Sequence, residues 1–279
     1  MTKQVLLYEK AVPVSSERHR NWSIRMSDDY SFARNVGWVP LVVGEFAAAA
    51  HEYPIVFAKS GDSVTPVAVL GLAGDQNLYL DSENKWQARY VPAFVRRYPF
   101  IFSTSQDGNT LALCIDEEFV GCNQDGRGER LFDSDGAQTQ YCKNVTKFLA
   151  GYQSEFVRTQ AFGRKLVELD LLEQQTARFQ ANAGAPQSLT GFMGISHERL
   201  KNLPGDTLSE LAVSGEMDYA WCHLFSMASL RSLAERTSSA DISTSPEGVA
   251  ASESTGIDEI TSGAQSNEID SSLSPATIN

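Results

Sequence analysis

One short pattern occurs twice in this chain, first over residues 45–72 and again over residues 91–118. In both copies an apolar-rich segment ends at a Tyr-Pro pair, which is Tyr53-Pro54 in the first copy and, 45 positions later, Tyr98-Pro99 in the second. A run of β-forming residues, a polar turn and a second apolar run follow each pair. Because the residue before a proline disfavours helical backbone, we expect each apolar segment to be a helix that ends at its tyrosine. The pattern therefore predicts two copies of a short helix followed by a β-hairpin, with Tyr53 and Tyr98 at equivalent positions.

The two copies predict an α+β fold. We expect the repeat halves, about 38–81 and 86–118, to form a mainly antiparallel sheet, with a helical C-terminal half packed on it. In that half Thr139 fits a helix N-cap. Apolar residues then recur at helical spacing as far as Leu172, which predicts one long helix, or two helices broken near Gly163.

A hairpin over residues 176–195 and a final helix over Met217–Glu235 complete the predicted C-terminal half. The final helix has a broad apolar face that includes Trp221 and Phe225. On that helix we interpret His223 as a core or groove histidine rather than a ligand.

The composition changes sharply after Arg236. In residues 237–279, 16 of 43 residues are Ser or Thr, none is aromatic and none is Lys or Arg. Such a segment buries too little apolar surface to offset the entropy lost on ordering. We therefore predict one domain over residues 1–236 and a disordered acidic tail over residues 237–279.

The charge and the cysteines argue against several classes of protein. The formal net charge is −12, and because seven of the 35 acidic residues lie after Arg236, residues 1–236 carry only about −5. A nucleic-acid-binding protein would need a basic face, so no nucleic-acid partner is expected. No apolar run is long enough for a signal peptide or a membrane span, which predicts a soluble, cytoplasmic protein. None of the four cysteines has a metal-ligand spacing, and we expect no metal and no cofactor.

The segment of residues 86–99, which is dense in arginine and aromatic residues, carries the candidate binding residues. Arginine and tyrosine combine planar hydrogen bonding with stacking, which suits carboxylates, sugars and protein partners. The candidates in this segment are Arg89, Tyr90, Arg96 and Arg97. Ideal helical geometry places residues 89 and 96 on one face, so we expect them to be exposed and Arg97 to be structural.

The second candidate group is an acidic cluster after a predicted strand, where sites are often built: Asp116, Glu117 and Glu118. Two structural alternatives stay open. The cluster can be a solvated turn, or its carboxylates and that of Glu45 can pair with Arg96 and Arg97 and hold the two halves together. The functional alternative is an enzyme, a transferase or hydrolase that uses these carboxylates as acid or base. No nucleophile motif accompanies them, so the catalytic residues are unknown.

Several phrases together resemble the SapC family of bacterial proteins. The most specific is ARYVPAFVRRYPFIF at residues 88–102, and the others are EYPIVF, TPVAVLGL, NLYLD, LCIDEE, the LFD-x-DG loop and ELDLLE. The resemblance runs from about Tyr8 to Arg236 and leaves out the tail. The family is named for an association with bacterial surface layers and brings no catalytic residue set, so the resemblance implies no particular site. Members of the family are sometimes labelled as permeases. This sequence contradicts that label, because it contains no apolar run long enough for a membrane span.

Three functions are consistent with these observations. The leading hypothesis is a soluble binding or accessory protein that recognises a protein, peptide or glycan through Arg89, Tyr90, Arg96, Arg97, Asp116 and Glu117. The second is the enzyme that uses carboxylates near Asp116. The third is a structural component of a surface layer.

Overall fold

The computed structural model describes residues 7–61, 63–72, 75–104, 111–179 and 187–243. It confirms a mixed α+β fold with antiparallel sheets and a largely helical C-terminal half. The chain forms two compact units. Among the described residues, the small unit contains residues 7–27 and 97–151, and the large unit contains residues 28–96 and 152–243.

The small unit contains two three-stranded sheets, with strand orders β1-β7-β6 and β8-β2-β9. Its elements, in chain order, are β1 (Ala11–Pro13), α1 (Ser16–His19), β2 (Ser23–Ile24), β6 (Phe100–Thr104), β7 (Leu111–Asp116), β8 (Cys122–Asn123), β9 (Glu129–Arg130) and the first part of α4 (Gln140–Glu168). In the first sheet the N-terminal strand β1 pairs with β7, with Ala11 opposite Asp116. That pairing brings residues 7–19, which we call the N-terminal segment, to the end of β7.

The large unit contains one five-stranded sheet of order β10-β11-β4-β5-β3. Its strands are β3 (Trp38–Pro40), β4 (Ile55–Ser60), β5 (Ser63–Val69), β10 (Leu172–Phe179) and β11 (Gln187–Ile195). Besides the second part of α4, its helices are α2 (Phe46–Ala49), α3 (Ala93–Arg96), α5 (His197–Lys201), α6 (Gly205–Ser214), α7 (Glu216–Ser226) and α8 (Ser229–Ser243). Buried aromatic side chains such as Phe46, Phe57 and Phe162 lie at the centre of its core.

Both copies of the sequence pattern contain one helical turn followed by a hairpin. In the first copy these are α2 and β4–β5, and in the second they are α3 and β6–β7. The two hairpins belong to different sheets, because β4–β5 pairs with β3 and β11 whereas β6–β7 pairs with β1. They therefore do not build the one shared sheet that we expected. The equivalence of Tyr53 and Tyr98 stays a prediction.

Helix α4 is one continuous helix of 29 residues. The hydroxyl of Thr139 accepts a hydrogen bond from the backbone N–H of Cys142 (3.3 Å), so Thr139 is the predicted N-cap. Gly163 does not break the helix. Its missing side chain lets α4 approach β5, since a Cβ at this position would lie 2.6 Å from the carbonyl oxygen of Val64.

Strand β11 meets β4 at the register pair Met193 and Phe57. Next to this pair, the buried ring of His223 on α7 bridges the two strands. Its Nε2 accepts the backbone N–H of Ile195 (2.9 Å), and its Nδ1–H donates to the carbonyl of Ile55 (2.7 Å). The N–H of Ile55 donates to the hydroxyl of Ser226 (2.9 Å). His223 is thus a core histidine whose two ring nitrogens both have partners, as predicted.

The final helix differs from its prediction in two ways. It is divided into α7 and α8, with residues 227 and 228 between them. In addition, α8 continues to Ser243, so the predicted boundary at Arg236 lies inside a helix. Thr237, the first residue of the predicted tail, is 5% exposed, and its hydroxyl donates to the carbonyl of Leu233. The rest of the disorder prediction, residues 244–279, lies outside the described residues.

Candidate functional site

A buried carboxylate organises the Arg/Tyr segment of the large unit. Glu45, 6% exposed, ends a 3-10 turn. Its Oε1 accepts the backbone N–H of Ala93 (2.6 Å) and the hydroxyl of Tyr90, and its Oε2 accepts the N–H of Val42 (3.2 Å). Burial, followed by the hydrogen bond to Glu45, raises the pKa of the Tyr90 hydroxyl. Tyr90 therefore stays a neutral donor that is fixed on the start of α3.

Two further hydrogen bonds fix the loop between Trp86 and Tyr90. The indole N–H of Trp86 donates to the hydroxyl of Tyr53 (2.7 Å), and that hydroxyl donates to the backbone carbonyl of Tyr90. Tyr53 is completely buried, and its ring packs against Tyr79 with the centroids 4.7 Å apart. The loop is thus attached to the core through Tyr53, the tyrosine that ends the apolar segment of the first copy of the sequence pattern.

Three half-buried aromatic rings and one exposed arginine belong to this loop or to residues in contact with it. The rings of Tyr30 and Trp86 meet edge to face at 5.5 Å. The Arg96 guanidinium lies 5.6 Å from the centroid of the Tyr90 ring, and its Nε donates to the carbonyl of Val91 (2.9 Å). We call Tyr30, Trp86, Tyr90 and Arg96 the aromatic–arginine surface.

Electrostatics link Tyr30 to the same arginine. Burial raises the pKa of the Tyr30 hydroxyl, the charge of Asp28 raises it further, and the charge of Arg96 opposes both. Rings that are fixed in place and a guanidinium beside them can stack on a planar or apolar group and donate hydrogen bonds to it.

Asp116 holds the N-terminal segment of the small unit. Its side chain is completely buried and its oxygens accept four hydrogen bonds. The donors are the backbone N–H groups of Glu9 (2.8 Å), Lys10 (3.0 Å) and Glu118 (3.2 Å) and the hydroxyl of Tyr98 (3.4 Å). A carboxylate whose lone pairs are used in this way has a structural role.

Glu117 is the centre of an ion-pair cluster with the same N-terminal segment. Arg18 donates to both carboxylate oxygens (2.5 and 2.6 Å), and the ammonium of Lys10 lies 3.1 Å away. Burial acts to raise the pKa of Glu117, but the hydrogen bonds from Arg18 and Lys10 outweigh it, so the pKa lies below its usual value. A carboxylate that remains ionised in this way is a poor general acid.

The buried ring of His19 completes the cluster. The backbone N–H of Ser15 donates to Nδ1 (3.2 Å), so Nε2 carries the proton and faces a Glu117 oxygen at 3.3 Å. Burial lowers the pKa of His19, although Glu117 opposes this effect.

The sequence left open that the acidic cluster is a solvated turn. This alternative is wrong for Asp116 and Glu117, because their side chains are 0% and 6% exposed.

The six candidate residues therefore divide between the two units. Arg89, Tyr90 and Arg96 lie in the large unit, and Arg97, Asp116 and Glu117 lie in the small unit. Arg89 and Arg96 are exposed and Arg97 is half-buried. Because α3 spans only Ala93–Arg96, Arg89 and Arg97 lie outside the helix, and the helical face expected for residues 89 and 96 does not form. The guanidinium of Arg97 lies 5.8 Å from the centroid of the Tyr8 ring.

Sequence reasoning missed part of each group. Trp86 could have been recognised from the sequence, because it begins the segment of residues 86–99 that carries the other candidates. Nothing in the sequence connects Tyr30 with this segment, since Tyr30 is more than 50 residues away from Trp86. Lys10 and Arg18 were missed as partners of Glu117 for the same reason.

Within the described ranges, no helix is long and apolar enough to cross a membrane. In the same part of the chain, no three His, Cys, Asp or Glu side chains are grouped so that they could hold a metal ion.

Comparison with known proteins gives one match. The model of the SapC family matches residues 14–233, which is most of the chain and includes parts of both units. No curated protein and no solved structure matches the chain.

Proposed function

The chain belongs to the SapC family, and we propose that it is a binding or accessory protein that recognises a protein, peptide or glycan. The aromatic–arginine surface is the proposed contact region, with the exposed Arg89 beside it in sequence. The observation that carries the proposal is the fixed geometry of this surface. Glu45 and Tyr53, both buried, hold Tyr90 and Trp86 in place before any ligand arrives.

Preorganisation of this kind favours recognition, because side chains that are already ordered lose little conformational entropy on binding. Aromatic and arginine side chains also contribute more binding energy than other residue types in interfaces. The carboxylates of the small unit give less support to the enzyme alternative, since Asp116 and Glu117 are occupied by the N-terminal segment. The cytoplasmic location expected from the sequence stays a prediction that cell fractionation would test.

The experiment compares single variants against arrays of oligosaccharides and peptides. The wild-type protein, Arg96→Ala and Arg127→Ala are labelled and applied to the same arrays, and each ligand found is titrated in solution. Arg127 is the matched control, because it is an exposed arginine of the small unit whose guanidinium pairs with the nearby Asp125 (2.9 Å).

We expect Arg96→Ala to weaken binding of the ligands by about tenfold or more, which corresponds to ~1.4 kcal/mol. The control should bind like the wild type, and both variants should keep the wild-type melting temperature within a few degrees. Ligands that bind Arg96→Ala and the wild type equally well would contradict the proposal.

A further inference from the structure

Helix α7 presents two large aromatic side chains to solvent in the large unit. Phe225 is 70% exposed, although the sequence places it on the broad apolar face of the predicted final helix. Trp221 lies one turn earlier and is half-buried. The two rings are nearly parallel, with an interplanar angle of 23° and centroids 5.9 Å apart. The buried face of the helix is a different one, which contains His223 and Ser226.

The third ring comes from helix α5. His197 is exposed and meets Trp221 edge to face, with the centroids 5.5 Å apart and an interplanar angle of 69°. We call His197, Trp221 and Phe225 the α7 platform. A pair of parallel rings with a nearly perpendicular third ring offers aromatic faces in two directions.

A carboxylate continues the exposed stripe of α7. Asp218 is exposed and precedes Trp221 by three residues and Phe225 by seven, so the three side chains lie on one face of the helix. Glu198, also exposed, follows His197 on α5. Arg199, the next residue of α5, is paired with Asp170 (3.0 Å). Asp218 therefore places negative charge beside the aromatic faces of the platform.

We propose that the α7 platform binds an arginine or lysine side chain in a partner protein, within a segment that also carries apolar side chains. Aromatic faces attract cations through their quadrupole, and Asp218 adds a compensating charge one turn away. An anionic partner would be repelled by the same carboxylates. A second copy of this chain would add its own Asp218 and Glu198 to the interface, with like charges facing each other. This surface shares no residue with the aromatic–arginine surface, and the inference does not rest on the function proposed for that surface.

The test uses a blocked hexapeptide of alternating arginine and leucine, with a matched peptide of alternating glutamine and leucine. Isothermal titration measures the affinity of the wild type, Phe225→Ala, Asp218→Asn and Val213→Ala. Val213 is the control, because it is an apolar side chain of α6 that is 87% exposed and lies outside the platform. Circular dichroism and thermal melts establish that each variant is folded.

We expect the arginine peptide to bind the wild type and Val213→Ala equally. Phe225→Ala and Asp218→Asn should each weaken this binding about tenfold. The glutamine peptide should bind more weakly than the arginine peptide to the wild type, and added salt should reduce that difference.

Three results would overturn the inference. The first is unchanged binding by folded Phe225→Ala and Asp218→Asn, which would place the cation elsewhere. The second is equal binding of the two peptides, which would make the platform a purely apolar surface. The third is a dimer in sedimentation experiments that Phe225→Ala dissociates, which would make a second copy of the chain the occupant.

Discussion

Replacing His223 with glutamine should change how the stability of the protein depends on pH. The ring is completely buried between β4 and β11, and both its nitrogens bond to backbone groups. Burial lowers the pKa of His223 from 6.5 to about 4, and the hydrogen bond to the Ile55 carbonyl only partly opposes this. The folded protein thus holds this imidazole neutral at pH values at which the unfolded chain protonates it.

Proton linkage gives the direction and the size of the effect that His223 has on the stability of the protein as the pH changes. Above pH 6.5 the imidazole is neutral in both states and has no effect on the pH dependence. As the pH falls below 6.5, the unfolded state binds a proton that the folded state excludes, so stability falls. With 1.36 kcal/mol for each pKa unit, the loss from His223 alone reaches ~2 kcal/mol at pH 5 and ~3 kcal/mol near pH 4.

Urea unfolding of the wild type and His223→Gln at pH 7, 6, 5 and 4.5 measures this difference. At pH 7 the variant should be less stable by roughly 1–3 kcal/mol, because glutamine cannot satisfy both strands. Its disadvantage should shrink by ~2 kcal/mol between pH 7 and pH 5, since only the wild type loses the imidazole contribution. The other titrating groups are the same in the wild type and His223→Gln, so their contributions cancel in the difference between the two unfolding free energies. His51→Gln, at an exposed position, controls for the exchange itself. Parallel pH profiles for the wild type and His223→Gln would refute the reasoning.

Three further predictions concern stability. Glu117→Gln should cost about 1.5–3 kcal/mol at pH 7, because charged hydrogen bonds are lost. Since the pKa of Glu117 is lowered, this cost should disappear as the pH falls through the folded-state pKa, and urea titrations that show a constant cost would contradict it. Gly163→Ala should lower the unfolding free energy by roughly 1 kcal/mol or more, because the Cβ would meet the Val64 carbonyl. A melting temperature above that of the wild type would instead mean that the higher helix propensity of alanine outweighs the contact with the Val64 carbonyl. Truncation after Ser243 should leave the melting temperature nearly unchanged, whereas truncation that also removes the buried Thr237 should lower it by a few degrees. Equal melting temperatures for the two truncations would contradict the second part.

The sequence predicted the local elements well where neighbouring residues decide them. Thr139 caps α4 as predicted, whereas α2 and α3 end at Ala49 and Arg96, before the tyrosines at which the sequence predicted their ends. His223 was identified as a core histidine because it lies in an apolar helical pattern. Such features depend on residues within a few positions of one another, and propensity and periodicity report on that range.

The sequence groups Phe225 with Trp221 on one broad apolar face, but in the structure Phe225 is exposed. Periodicity identifies an apolar face but cannot tell which part of a broad face a neighbouring element covers. In the folded protein the inner face of α7 contacts β4 and β11 through His223 and Ser226, and Phe225 is left in solvent. The single domain expected over residues 1–236 stays a prediction.

The sequence by itself determined that the chain is an α+β protein with two helix-and-hairpin segments, a capped long helix and a segment rich in arginine and tyrosine. Only the tertiary structure decided which hairpin joins which sheet and which cation meets which carboxylate. Arg18 and Glu117 are 99 positions apart, and Tyr90 and Glu45 are 45 apart. Local sequence does not encode such pairs, because they form only when strand pairing and core packing bring distant segments together.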